Sequence, residues 1–131
     1  MKVLKEFAVT SLRLIIMMTA LLVGALPSAA TAPQLLITIE SGAPYFLPVS
    51  ATVATGTSIR WDNPTATHHT ITHDGCVSGA LCAFDSGTMA PNESYTLPSL
   101  PPGQYPYHCQ THPIMRGVLN VTEPAVAPAK T

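Results

Sequence analysis

Within seven residues near the end of the chain, Cys109, His112 and Met115 place a thiol, an imidazole and a thioether at intervals of three. Soft sulfur beside imidazole selects copper over magnesium or calcium, and two imidazoles with one thiolate and a weak axial thioether make an electron-transfer copper site. The second imidazole has to come from elsewhere. His69 is the candidate, forty residues before the cysteine, at the start of a β-rich run that follows the turn Asp62-Asn63-Pro64. A ligand on a distant strand gives a site a rigid wall, and rigidity limits the rearrangement that each electron demands. Taken singly, Cys109 reads as a buried inert thiol and His112 as a surface histidine; only the combination points to a metal.

The remaining histidines fit blander roles. His68 neighbours the candidate ligand and, by strand alternation, faces the opposite side toward solvent. His73, in Thr72-His73-Asp74-Gly75, reads as turn decoration, with a weak second metal site shared with His68 as the minor alternative. Alternation also aims His108 away from Cys109.

Strands have to hold this constellation. Apolar and β-branched runs at Leu35–Glu40, Tyr45–Val53, Ser58–Asp62, His69–Thr72, Ser94–Leu97, Gln104–Cys109 and Gly117–Thr122 are separated by turn chemistry such as Thr55-Gly56-Thr57, Asp74-Gly75 and Pro101-Pro102-Gly103. No stretch after residue 30 carries a sustained helical period. Seven to eight short strands in about a hundred residues predict an all-β sandwich or flattened barrel. A chain of 131 residues suits one domain. Only 10% of its residues are charged, against 47% hydrophobic, which argues for a packed globule.

The first thirty residues differ. Lys2, Lys5 and Arg13 precede an uncharged run from Leu14 to Leu26, which is shorter than the roughly 20 residues a membrane span needs, and Pro27-Ser28-Ala29-Ala30 follows. This pattern predicts a signal peptide over 1–30, cleaved after Ala30, with an uncleaved anchor as the alternative. Either way the domain, residues 31–123, lies in the periplasm or another extracytoplasmic space. Residues 124–131 read as a flexible tail. Beyond residue 30, three basic residues stand against six acidic ones, a net charge of −3. Without a basic cluster there is no footprint for nucleic acid. An exported chain with three cysteines has one pair and one thiol with a task. Cys76 and Cys82 flank a short Gly-containing loop, which predicts a Cys76–Cys82 disulfide; two separate thiols are the alternative.

The stretch Tyr107-His-Cys-Gln-Thr-His-Pro-Ile-Met-Arg-Gly resembles the copper loop of the amicyanin-like and plastocyanin-like blue copper proteins, the cupredoxins. Upstream, Thr55-Gly56-Thr57-Ser58-Ile59-Arg60-Trp61-Asp62-Asn63 and His69-Thr70-Ile71 resemble the family's Gly turn, Trp-bearing strand and first ligand, so the similarity runs over residues 33 to 122. It implies a Greek-key β-sandwich holding one type 1 copper. His69, Cys109 and His112 would be the equatorial ligands and Met115 the axial one. Thr70 would stand where the family commonly has Asn, its backbone N–H pointing at the sulfur, with side-chain bracing left open by the change to a hydroxyl. Met89, Pro113 and Ile114 would rim the exposed edge of His112 as an electron-transfer surface. The implied activity is non-enzymatic: a monomer shuttling single electrons between redox protein partners. A copper carrier or store using the same ligands is the alternative. In copper nitrite reductases and multicopper oxidases a histidine beside the cysteine serves a second copper centre, but the single expected domain would not complete one around His108.

Overall fold

The inward positions of three short alternating runs, Ile37 with Ile39, Ile59 with Trp61, and Leu119 with Val121, are each at most 5% exposed, as period-two strands facing a common core require. The structure, a computed structural model, describes residues 31–124. Its strands are β1 Gln34–Ile39, β2 Phe46–Leu47, β3 Ser50–Ala54, β4 Ser58–Asp62, β5 Thr72–His73, β6 Ser94–Leu97, β7 Gly103–Cys109 and β8 His112–Thr122, with one short helix, α1 Gly75–Ser78. They form two four-stranded sheets, ordered β2-β1-β4-β6 and β3-β8-β7-β5. Both sheets mix directions: β1 runs parallel to β4 and β3 parallel to β8, and the other pairs are antiparallel.

Aromatic residues fill the space between the sheets. Tyr107 of β7 meets Trp61 of β4 edge-on at 5.6 Å and Phe46 of β2 at 5.0 Å. Such tilted ring pairs add about 0.5–1.5 kcal/mol beyond the area they bury. Cys109 is the next inward position after Tyr107 on the same strand and is fully buried. The thiol therefore sits at the end of the core, where β7 turns into β8.

The layout of strands and turns departs from the sequence expectations in four places. The expected strand Tyr45–Val53 is two strands in different sheets. Pro48 has no N–H for a ladder and stands between them; β2 pairs with β1, whereas β3 pairs with β8. The expected strand His69–Thr72 is regular only from Thr72; His69 is held instead by paired backbone bonds to Met89 at 3.1 and 2.8 Å. The last strand starts at His112 rather than Gly117. Finally, the expected turn after Asp74 contains α1, and the Cys76–Cys82 disulfide bridges out of that helix. The expected leader, residues 1–30, and residues 125–131 of the expected tail lie outside the described residues. No described helix is long and apolar enough to cross a membrane.

Gly117 is where the packing is tightest around the site strands. A Cβ there would lie 2.3 Å from Tyr107 Cζ and 2.4 Å from its hydroxyl oxygen, so the tyrosine ring lies directly on the glycine. Gly117→Ala should lower stability by about 1–3 kcal/mol through overpacking. Gly42→Ala, with no atom within 4 Å of its Cβ, should stay within about 0.5 kcal/mol of wild type. Urea denaturation of both variants checks this; equal effects would remove the Tyr107 contact as the cause.

Candidate metal centre

Three chain segments converge on the Cys109 sulfur. The cysteine ends β7, and His112 begins β8 directly opposite it, with Gln110 and Thr111 as the connecting turn. Cross-strand pairing thus sets the spacing of thiol and imidazole, and His112 Nδ1 lies 3.5 Å from Sγ. The segment carrying His69 crosses the same end of the sandwich and brings its Nδ1 to 3.7 Å from Sγ. The donor atoms of His69, Cys109 and His112 all lie within 4.8 Å of one another. Met115, 2% exposed, lines the same cavity as both histidines.

The turn Asn63-Pro64-Thr65 explains how His69 is aimed. Asn63 is buried, and its side-chain oxygen accepts from the Thr65 N–H at 3.2 Å and the Thr65 hydroxyl at 2.6 Å. This is an Asx-type closure. Its amide donates to the carbonyls of Thr67 and Ala90 at 2.9 and 3.1 Å, tying the turn to the neighbouring loop. His69 Nε2 then lies 2.9 Å from the Thr67 hydroxyl and 3.1 Å from that of Thr65. Because the Thr65 proton goes to Asn63, its oxygen is free to accept from the ring. A ring protonated at Nε2 is matched by that acceptor and turns the Nδ1 lone pair toward Cys109, the outer hydrogen bonding that orients a metal-ligating histidine. Burial, with the adjacent His112 and His68, pushes the His69 imidazole below its ordinary pKa.

The sulfur is held from two sides. The Thr70 N–H donates to Sγ at 3.3 Å, and the Thr70 hydroxyl accepts from the Gln110 N–H at 2.9 Å. A hydroxyl in this place therefore does brace the loop. Thr111 Oγ1 lies 3.1 Å from Sγ. Burial raises the Cys109 thiol, but the Thr111 and Thr70 hydrogen bonds outweigh it, so the thiol sits below its usual value. A group that loses its proton more readily is better prepared to ligate.

Other candidates fall elsewhere. Met89 is 3% exposed and belongs to the core; the backbone pairing with His69 turns it inward, so it does not rim the surface as expected. Pro113 and Ile114 are exposed, Ile114 at 72%. His68 is exposed. His73 is no turn decoration: it lies in β5, packs on Phe84 and Tyr105, and accepts the Ala83 N–H at 3.2 Å. His108 is turned away from the sulfur and donates to Asp74 at 2.5 Å, with Arg116 on the other carboxylate oxygen. Among the described residues no second cluster of metal-ligating side chains forms. Sequence reasoning missed Thr65, Thr67 and Thr111. The run Thr65-Ala-Thr67 spaced four and two residues before the candidate ligand was the available signal.

A β-sandwich whose one end gathers two imidazoles, a thiol and a thioether defines a soft-metal protein, and the donor set fits one type 1 copper ion. A family model for the cupredoxin-like domain matches residues 13–121, and the chain belongs to that family. It is similar to chloroplastic plastocyanin of Tetradesmus obliquus, 32% identical over 89 residues that cover 64% of this chain and 61% of the relative. The chain thus spans less than two thirds of that relative's length. In fold it is similar to a reduced amicyanin variant, with a TM-score of 0.59 and 23% identity over 72% of this chain and 88% of that one. It is likewise similar to a purple cupredoxin from Nitrosopumilus maritimus, with a TM-score of 0.57 and 24% identity over 69% and 99%.

Two predictions follow from the residues around the site. A histidine whose folded pKa is lowered contributes stability that is fully present above the unfolded value near 6.5 and lost as pH falls through the lowered folded value. His69→Gln should therefore flatten the acid side of the stability curve of metal-free protein, read by urea melts between pH 7 and 5. An unchanged slope would show that His69 does not carry it. Separately, denatured, metal-free, unreduced protein should titrate one thiol, Cys109, the single free cysteine. Losing the short disulfide ring through Cys76→Ser with Cys82→Ser should cost about 2 kcal/mol.

Proposed function

We propose that this domain is an extracytoplasmic one-electron carrier, with His69 Nδ1, Cys109 Sγ, His112 Nδ1 and the Met115 thioether as the ligands of its copper. A bound copper ion supplies the Cu(II)/Cu(I) couple. The observation that carries the reading is the unequal exposure of the four donors. Cys109, Met115 and His69 are 0%, 2% and 4% exposed, whereas His112 is half-buried and opens on a surface pocket.

Each residue has a separable task. Thr65, Thr67 and Thr70 fix the imidazole and the sulfur so that neither has to move when the charge at the centre changes. Met115 closes the site from the core side and keeps water out. His112 offers a ring edge to a partner, and exposed Pro113 and Ile114 surround it with an apolar rim. Small interfaces suit redox partners that must dissociate quickly. Burial of three donors also speaks against a carrier that hands over the ion, since transfer needs the incoming ligand to reach the metal. The pattern in residues 1–30 supports export.

Copper added to the metal-free protein should give strong thiolate-to-copper absorption in the visible, bleached on reduction, and Cys109→Ala should abolish it. A weak tetragonal spectrum, or equal retention of zinc, would defeat the type 1 assignment. Ile114→Glu should slow reduction by a small redox protein about tenfold or more, with the spectrum unchanged. Equal slowing by a charge placed at Leu36, on the outer face of β1, would remove His112 as the port.

A further inference from the structure

The turn between Cys109 and His112 contains a side chain whose place the copper reading leaves unused. Thr111 is exposed, yet its hydroxyl points inward, with Oγ1 3.1 Å from Cys109 Sγ and 3.1 Å from His112 Nδ1. Its position is not loose. Gln110, the other turn residue, is anchored to the Thr70 hydroxyl at 2.9 Å, and the strands on either side are paired at Cys109 and His112.

We propose that Thr111 is a positioning residue that tunes the redox centre, its hydroxyl donating a hydrogen bond to the Cys109 thiolate from the solvent side of the site. The inference rests on the copper reading above. In the metal-free arrangement the hydroxyl has two neighbours, the sulfur and the imidazole nitrogen. Once that nitrogen's lone pair is committed to a metal, the sulfur is the acceptor left within reach. Thr70 already supplies a backbone N–H to the same sulfur from the buried side at 3.3 Å, so the thiolate then accepts from both sides. Hydrogen bonds to an ionised acceptor are stronger than neutral ones. The sulfur carries more negative charge in the reduced centre than in the oxidised one, because reduction adds an electron to a strongly covalent copper–thiolate unit. A donor on the sulfur therefore favours the reduced form, and hydrogen bonding around this sulfur is one of the levers on a blue-copper potential.

The test compares Thr111→Val, which keeps the shape and removes the hydroxyl, with Thr111→Ser, which keeps the hydroxyl. Each protein is loaded with Cu(II). Thr111→Val should lower the ratio of Cu(I) to Cu(II) affinity about tenfold, a fall of about 59 mV for a one-electron couple. Its sulfur-to-copper absorption should move to lower energy, since the sulfur electrons are no longer held down by the donor. Thr111→Ser should stay near wild type in both. Thermal melting of the metal-free proteins shows whether the folds are equally stable, and an exposed isosteric change should leave them so. A wild-type potential and band in Thr111→Val would overturn the inference while the copper reading stands. Thr111→Ser behaving like Thr111→Val would overturn it too, because the threonine methyl would then be the active part. Wild-type protein with no thiolate-to-copper band would overturn the copper reading and this inference together.

Discussion

Everything at the site depends on the double link between Thr70 and the Cys109–Gln110 step. One N–H to the sulfur and one hydroxyl to the next N–H join segments 39 and 40 residues apart in sequence. That link sets His69, which precedes Thr70, against the cysteine, and the pairing of Thr72 with His108 two residues on extends it along β7. A long-range contact of this kind is costly to form, because the loop between must be closed first. Here the closure is shared. The intervening chain is shortened by its own disulfide, held by Asp74 against His108 and Arg116, and bridged back through Phe84 and Ser86 to His73 and Ile71.

The site's polarity would be a liability in so apolar a core unless each group had a partner. Buried polar groups without hydrogen bonds cost about 1–3 kcal/mol each in proteins. The structure answers with threonines. Thr65, Thr70 and Thr72 are buried, Thr67 stands at the surface beside them, and each carries one hydroxyl that can both donate and accept a hydrogen bond. Asn63 is the hub of one set, feeding Thr65 and through it the His69 ring; Thr70 and Thr72 form the other, with Asp85 at its end. Neither set places a carboxylate beside the metal donors.

The loop was legible in the sequence because its donors lie within seven residues, where spacing alone narrows the chemistry. His69 was legible for a weaker reason, its place at the head of an apparent strand together with the family likeness. The strands were readable where alternation was uninterrupted, as in β1, β4 and β6. What sequence could not show was decided by contacts between distant segments. Nothing local in Met89 tells that its backbone will pair with His69 and carry the side chain into the core. Likewise Pro48 announces an interruption but not a change of sheet, and a threonine reads the same whether its hydroxyl meets water or the His69 ring.

Pro113 shows how one local rule builds both the inside and the outside of the site. The pairing of β7 with β8 runs regularly up to His108 opposite Arg116, then jumps to Cys109 opposite His112, leaving Pro113, Ile114 and Met115 as extra residues on β8. Proline cannot donate to the ladder, so a bulge at this point loses less than it would elsewhere. A bulge also breaks the period of two. Two successive residues, Pro113 and Ile114, consequently face outward, and Met115 turns in against the core. With strict alternation, Met115 and Pro113 would share a face, and either the thioether would leave the site or the apolar rim would lose a member. The irregularity that hid the start of β8 from sequence reasoning is thus what lets the first residues of one strand present both a buried thioether beside the imidazoles and an exposed apolar edge beside His112.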